Sequence, residues 1–270
     1  MGVDDPRFKC EYMCEIAVDM STMVIPEFTD VVEKDVVCVS ERPAFFDIYV
    51  GGDPAASDLT AILFGYYDYL RKTIVIEDEV ILGGEGTTLT TQTIAESIIR
   101  KEKKLFTHPI THLPMSVFRR VMDYNQPILI NDLWNDYQLR FHPTAKDNKE
   151  LQVDRVRRML AQGNIEINPR CVNLLYHIRT AKWKTNRDGV RKLEFRKVKG
   201  VGSGKKRLKA HHCDALDALI YLVRNVQLNK NPYPADYFEL MGSDVFHANG
   251  YETKNQELED FAKKLLNLKK

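Results

Sequence analysis

Hydrophobic and polar positions follow two different periods along this 270-residue chain. Residues 45–52, 59–67 and 72–82 carry dense β-branched and aromatic weight, with Ile74, Ile76 and Val80-Ile81-Leu82 in the third, and each reads as a strand. Tyr69-Leu70-Arg71 is a tight connection between the second and third. The period then lengthens. Residues 88–102 read as a helix, with Ile94, Ile98 and Ile99 on one face and Thr91 to Thr93 able to cap its start. A strand over 117–122, a helix reaching residue 133 and a short strand over 137–141 follow. Residues 148–162 are helical, with Leu151, Val156, Met159 and Leu160 apolar, and Gly163 stops them. Residues 165–167 are extended, and 169–180 and 214–226 are helices. Between those two helices, Asn186-Arg187-Asp188-Gly189 is a hairpin-turn signal flanked by short strands.

The order of elements decides the fold class. Three adjacent strands, a helix and then an alternation of strands and helices imply an α/β fold with a mixed central sheet, helices on both faces and a β-hairpin insertion. That pattern is compatible with a ribonuclease H-like fold. Residues 4–20 read as a helix with Phe8, Tyr12 and Ile16 at helical spacing, and 24–41, bounded by Pro26 and Pro43, as a connecting arm rather than a core element. Residues 256–268 form an amphipathic stripe of Leu258, Phe261, Leu265 and Leu268.

Composition narrows the class. An apolar fraction of 44% supplies a packed core, and a net charge of +1 is neutral on nucleic acid. The distribution is not neutral. Residues 182–209 are crowded with Lys182, Lys184, Arg187, Arg191, Lys192, Arg196, Lys197, Lys199, Lys205, Lys206, Arg207 and Lys209, opposed only by Asp188 and Glu194. Such a stretch suits a phosphate-bearing polyanion; a solvated hairpin is the plain alternative. Five cysteines without a CxxC pair argue against a disulfide scaffold and point to a reducing cytosol. With no long apolar run or signal peptide, no membrane span is expected.

The candidate chemistry lies in three acidic segments: Gly51-Gly52-Asp53-Pro54-Ala55, Val121-Met122-Asp123-Tyr124-Asn125 and His211-His212-Cys213-Asp214-Ala215-Leu216-Asp217. Asp53 and Asp123 each end a hydrophobic strand, and Asp214 opens a helix. Singly, such residues are turn formers or N-caps. Together they offer hard oxygen donors for Mg2+ or Mn2+, and a pair of ions can hydrolyse a phosphodiester. Asp217, one turn beyond Asp214, and Asp58, five residues past Asp53, are further candidate ligands. Asp47 ranks below them, and Glu77 and Glu79 are expected to be exposed on their strand.

At these residues the chain resembles the C-terminal nuclease domain of the large terminase subunit of tailed bacteriophages. The resemblance rests on Asp53-Pro54-Ala55-Ala56-Ser57-Asp58-Leu59, on Met122-Asp123-Tyr124-Asn125 with Ile128-Leu129-Ile130-Asn131-Asp132-Leu133, and on His212-Cys213-Asp214-Ala215-Leu216-Asp217-Ala218-Leu219. Phe141-His142-Pro143-Thr144 through Glu150 and Ile167-Asn168-Pro169-Arg170 resemble its connecting segments. Each motif is weak alone, and their order carries the likeness. The resemblance implies a ribonuclease H-like endonuclease that cuts concatemeric double-stranded viral DNA, with Asp53, Asp123 and Asp214 as catalytic carboxylates. It implies as partners the ATPase domain of a full-length chain, the portal and the small terminase subunit, in the host cytoplasm. Many members carry a further acid where Cys213 stands, which leaves the principal helix ligand open between Asp214 and Asp217.

On this reading residues 1–42 are an arm from an absent ATPase domain, 43–230 the nuclease domain and 231–270 an extension with an amphipathic helix. Gly200-Val201-Gly202-Ser203-Gly204-Lys205 has the wrong spacing for a phosphate-binding loop, so no ATP hydrolysis is expected. Two alternatives stand beside it. One is another ribonuclease H-like DNA enzyme, such as a junction resolvase or transposase; the other is a non-catalytic DNA-binding or motor-assembly module.

Overall fold

A computed structural model describes residues 22–54, 59–83, 89–108, 111–185, 191–196, 213–230 and 232–233. The expected helix over 4–20, Asp58, the glycine-rich loop, His211, His212 and the amphipathic tail lie outside the described residues.

The described chain builds a six-stranded mixed sheet in the order β5-β4-β1-β2-β3-β6. Its strands are β1 (Phe46–Asp53), β2 (Leu59–Asp68), β3 (Thr73–Gly83), β4 (Val117–Asp123), β5 (Phe141–Thr144) and β6 (Ile165–Ile167). β1, β2 and β3 form an antiparallel meander, while β4 joins β1, β5 joins β4 and β6 joins β3 in parallel. Short connections suffice for the meander, whereas each parallel strand needs a crossover, which the helices supply. The arrangement is ribonuclease H-like, as the element order implies. β2 is buried along nearly its whole length because it lies between two strands and under helices on both faces.

Two cores result. On one face, α2 (Thr91–Leu105) and α3 (Pro127–Tyr137) bury Ile94, Ile98, Ile130 and Leu133 against Ile48, Val50, Ile62, Phe64 and Met122. Thr90 caps α2 by accepting from the Thr93 backbone N–H at 3.1 Å, one residue before the expected caps. On the other face lie α4 (Lys149–Ala161), α5 (Val172–Thr180) and α6 (Asp214–Asn225). Every residue of α6 from Asp214 to Val223 is buried, so this helix is apolar on all sides where it is not acidic. It lies across β1, β2 and β4.

The structure departs from the sequence reading in three places. The segment expected as an arm is partly core: Val24 and Ile25 are fully buried, and α1 (Asp30–Val36) packs Val36 inside. Residue 137 ends α3 rather than starting a strand, because Gln138 takes the left-handed conformation (φ 58°) that closes the helix, and β5 begins at Phe141. Glu79 is buried instead of exposed, and Glu77 is half-buried in an ion pair with Arg42 at 2.6 Å. The cause is a register shift between Phe64 and Gly65 of β2, opposite Glu77, which interrupts simple alternation along β3. The expected hairpin is present as β7 (Trp183–Thr185) and β8 (Arg191–Phe195).

Candidate metal and nucleic-acid site

Gly51 is the residue that seats α6 on the sheet. A Cβ there would lie 2.7 Å from the Ala218 carbonyl oxygen and 2.7 Å from Leu222 Cβ. Only glycine lets the helix approach β1 this closely. Side chains alternate along a strand, so Asp53 shares the α6 side of the sheet with Gly51. Gly52 pairs with Met122 across the parallel β1–β4 ladder. Met122 belongs to the opposite core, so Asp123, the next residue, also faces α6. Asp53 and Asp123 therefore end neighbouring parallel strands on one face, and the first turn of α6 brings Asp214 and Asp217 to that face.

Electrostatics show how closely these groups share space. Burial, then the charges of Asp217 and Asp214, push the Asp53 carboxyl well above its ordinary value; Asp123 adds to the rise and Lys146 opposes it. Asp217 is raised by burial, against the pull of Lys149 and Lys146, with Asp214 adding to the rise. Tyr221, two turns into α6 and buried, has its phenol driven far up by burial and then by Asp53, Asp217, Asp123 and Asp214. The charges of all four carboxylates are thus felt at this one phenol.

Two lysines stand among them. Lys146 Nζ pairs with Asp123 Oδ2 and lies 5.8 Å from the Tyr221 ring centroid. Lys149 Nζ donates to Asp217 Oδ1 at 3.0 Å and sits 3.6 Å from the Phe195 ring centroid, on the hairpin. Neither lysine was singled out as a site residue from the sequence. The available signal was positional: both follow β5, whose carboxyl end lies beside that of β4, and loops at such ends gather ligands in α/β sheets. Asp123 Oδ1 also accepts from the Asn125 backbone N–H at 3.2 Å, so the acid shapes its own turn. His177 Nδ1 accepts from the Ala215 N–H at 3.2 Å and helps fix the start of α6.

The donor set suits a hard divalent cation, being carboxylate oxygens that repel one another. As the side chains stand, no three His, Cys, Asp or Glu among the described residues converge closely enough to hold an ion. Asp47, at the far end of β1, accepts from Tyr69 and Lys230, each at 2.6 Å, and takes no part in the cluster.

Of the basic residues, Lys184 and Lys192 are cross-strand partners, both exposed, and Lys184 pairs with Glu194 at 2.8 Å. Arg196 is exposed, and its N–H donates to the Lys182 carbonyl at 2.7 Å. Trp183 is buried against Phe195 with ring centroids 5.3 Å apart, so it packs the hairpin onto the core. Arg191 lies in β8. Arg187, Lys197, Lys199, Lys205, Lys206, Arg207 and Lys209 lie outside the described residues.

No family model matches the chain, and neither does any curated protein. Solved structures do. The large terminase of a thermophilic bacteriophage superposes with a TM-score of 0.58 at 15% identity, covering 76% of this chain and 46% of that one. This chain shares the fold of the matched part of that protein. The large terminase of bacteriophage HK97 superposes at 0.50 with 12% identity, over 73% of this chain and 42% of its own. The chain thus spans less than half the length of the terminases whose fold it shares. At this identity the shared property is the terminase fold itself, and the chemistry must be argued from the side chains. Among the described residues, no helix is long and apolar enough to cross a membrane.

Proposed function

We propose that this chain is a metal-dependent endonuclease that cuts concatemeric double-stranded viral DNA during genome packaging. The observation that carries the reading is that Asp53 and Asp123 end neighbouring parallel strands on the face covered by the first turn of α6, where Lys146 pairs with Asp123 and Lys149 with Asp217. Buried carboxylates that face one another are unfavourable until a cation joins them, which marks a binding site better than any single acid does.

Asp53 and Asp123, with Asp214 or Asp217, would hold Mg2+ or Mn2+, in keeping with a two-ion site; Asp58 is a further candidate ligand. When bound, such ions supply an activated water and neutralise the leaving oxygen of a phosphodiester. The chain's own residues supply the rest. The carboxylates fix the position of the site at two rigid strand ends, where precision is greater than on loops. Lys149 ties Asp217 to Phe195 and so couples the acids to the hairpin root. Lys184, Lys192 and Arg196 present positive charge beside that root, suited to phosphates without reading bases.

The large-terminase fold supports the packaging context. By the same reading the partners are double-stranded DNA, an ATPase domain of the full-length protein, the portal and the small terminase subunit, in the host cytoplasm. The test is cleavage of plasmid DNA with Mg2+ or Mn2+, with chelator as control and a four-way junction as competitor substrate. Metal-dependent cutting of plain duplex is the expected result. Exclusive cutting of the junction would move the assignment to a resolvase, and DNA binding without cutting in Mn2+ to a motor-assembly module.

A further inference from the structure

Lys146 holds a place in the acidic cluster that an ion would have to contest. Its ammonium pairs with Asp123 Oδ2, and its charge also reaches Asp53 and Asp217. The backbone around it is fixed: Arg224 of α6 donates to the Ala145 and Asp147 carbonyls at 3.0 and 3.1 Å and pairs with the Asp147 carboxylate at 2.6 Å. The Lys146 side chain is nevertheless 39% exposed. A long, flexible stem on an anchored backbone can leave its partner without disturbing the fold. Lys149 is held more closely: its side chain is 27% exposed, and its Nζ lies 3.6 Å from the Phe195 ring centroid, against 5.8 Å between Lys146 and Tyr221.

We propose that Lys146 is a resident counter-cation of the site, which a divalent ion must displace from Asp123 in order to bind. The inference rests on the metal-site reading above. It makes Lys146 a positioning residue: it offsets the charge of the acids while the ion is absent, and it lowers the apparent affinity for metal. Once displaced, its ammonium is free beside the site.

Two measurements on the 270-residue chain test this. Calorimetric titration with Mn2+ compares the parent with Lys146→Met. Loss of a partly exposed ion pair converts to an affinity about fivefold tighter in the variant. Nuclear magnetic resonance of 13C-dimethylated lysines follows Lys146 in the otherwise unaltered protein, its signal assigned by its absence in Lys146→Arg. That signal shifts on Mg2+ addition over the concentration range in which heat is released. If the parent binds metal while the Lys146 signal stays fixed, or if folded Lys146→Met binds Mn2+ no tighter, the displacement is wrong and the nuclease reading survives. If neither protein binds Mn2+ or Mg2+ at millimolar concentration, both fall.

Discussion

Asp78 and Glu79 on β3 are about as buried as Asp123 on β4, at 6%, 8% and 4% exposure, yet Glu79 and Asp123 are held in different ways. Glu79 accepts from the Leu174 and Asn173 backbone N–H groups and from the Asn173 side chain, at 2.8–2.9 Å, and so closes the start of α5. Asp78 pairs with Lys101 at 2.9 Å and accepts from the Glu79 N–H at 2.8 Å. Asp78 is thus paired as Asp123 is, with one lysine and one backbone N–H, whereas both oxygens of Glu79 serve a helix start. At the carboxyl ends of β1 and β4 the acids face other acids, with two lysines between them. The difference separates structural burial from functional burial: a satisfied carboxylate stabilises a helix end, whereas mutually repelling ones hold free energy that a ligand can release.

Substitution at the two clusters should break this symmetry of burial. Asp53→Asn and Asp123→Asn should each lower metal-dependent DNA cleavage on the order of a thousandfold, since each removes a carboxylate that would hold the metal ion. Glu79→Gln should leave cleavage per folded molecule within a few-fold and instead cost about 1–3 kcal/mol in urea unfolding, because it weakens three hydrogen bonds at a helix start. Equal loss of cleavage in all three variants would erase the distinction.

Gly51→Ala probes the close approach that brings α6 to the acids. Its Cβ meets backbone and Leu222 at 2.7 Å, so overpacking should cost about 1–3 kcal/mol and reduce cleavage through displacement of Asp214 and Asp217. A stability within error of the parent would mean that the helix yields freely.

Asp53 should also give the site a pH response. Asp53 has a raised carboxyl pKa, so the native state binds its proton more tightly than the unfolded chain does. Metal-free stability must then fall as pH rises from the ordinary carboxylate value of 3.8 through the raised one. Thermal melts of Asp53→Asn without metal should match the parent below that range and exceed it above. A parent that gains on Asp53→Asn with rising pH would reverse the sign and refute the repulsion.

The smallest effect belongs to the hairpin. Replacing Lys184 and Lys192 by Ala should weaken duplex binding a few-fold and reduce the salt slope by about 1–2. Unchanged affinity across salt would leave these lysines as a solvated face.

Much of this was legible in the sequence because strong local signals agreed with the fold. β-branched runs marked the meander, Gly163 the end of α4, and Asp188-Gly189 the hairpin between β7 and β8. That α6 would press against Gly51 could not be read from the strand alone. What was illegible depended on tertiary contact. Val24 and Ile25 look like linker residues until Ala181 accepts from the Val24 N–H and the core closes over them. Glu79 reads as a solvent-facing strand residue until a register shift turns it toward α5. Lys146 sits in an ordinary polar loop sequence and Lys149 opens α4, and only the parallel pairing of β5 with β4 brings them to the acids.

The central claim is that Asp53, Asp123 and the first turn of α6 form one cation site. An anomalous difference map from a crystal soaked in Mn2+ tests it most directly. The account predicts peaks about 2.0–2.6 Å from the Asp53 and Asp123 oxygens and from Asp214 or Asp217. An ordered, fully soaked crystal with no peak there, or with manganese bound only elsewhere, would contradict it.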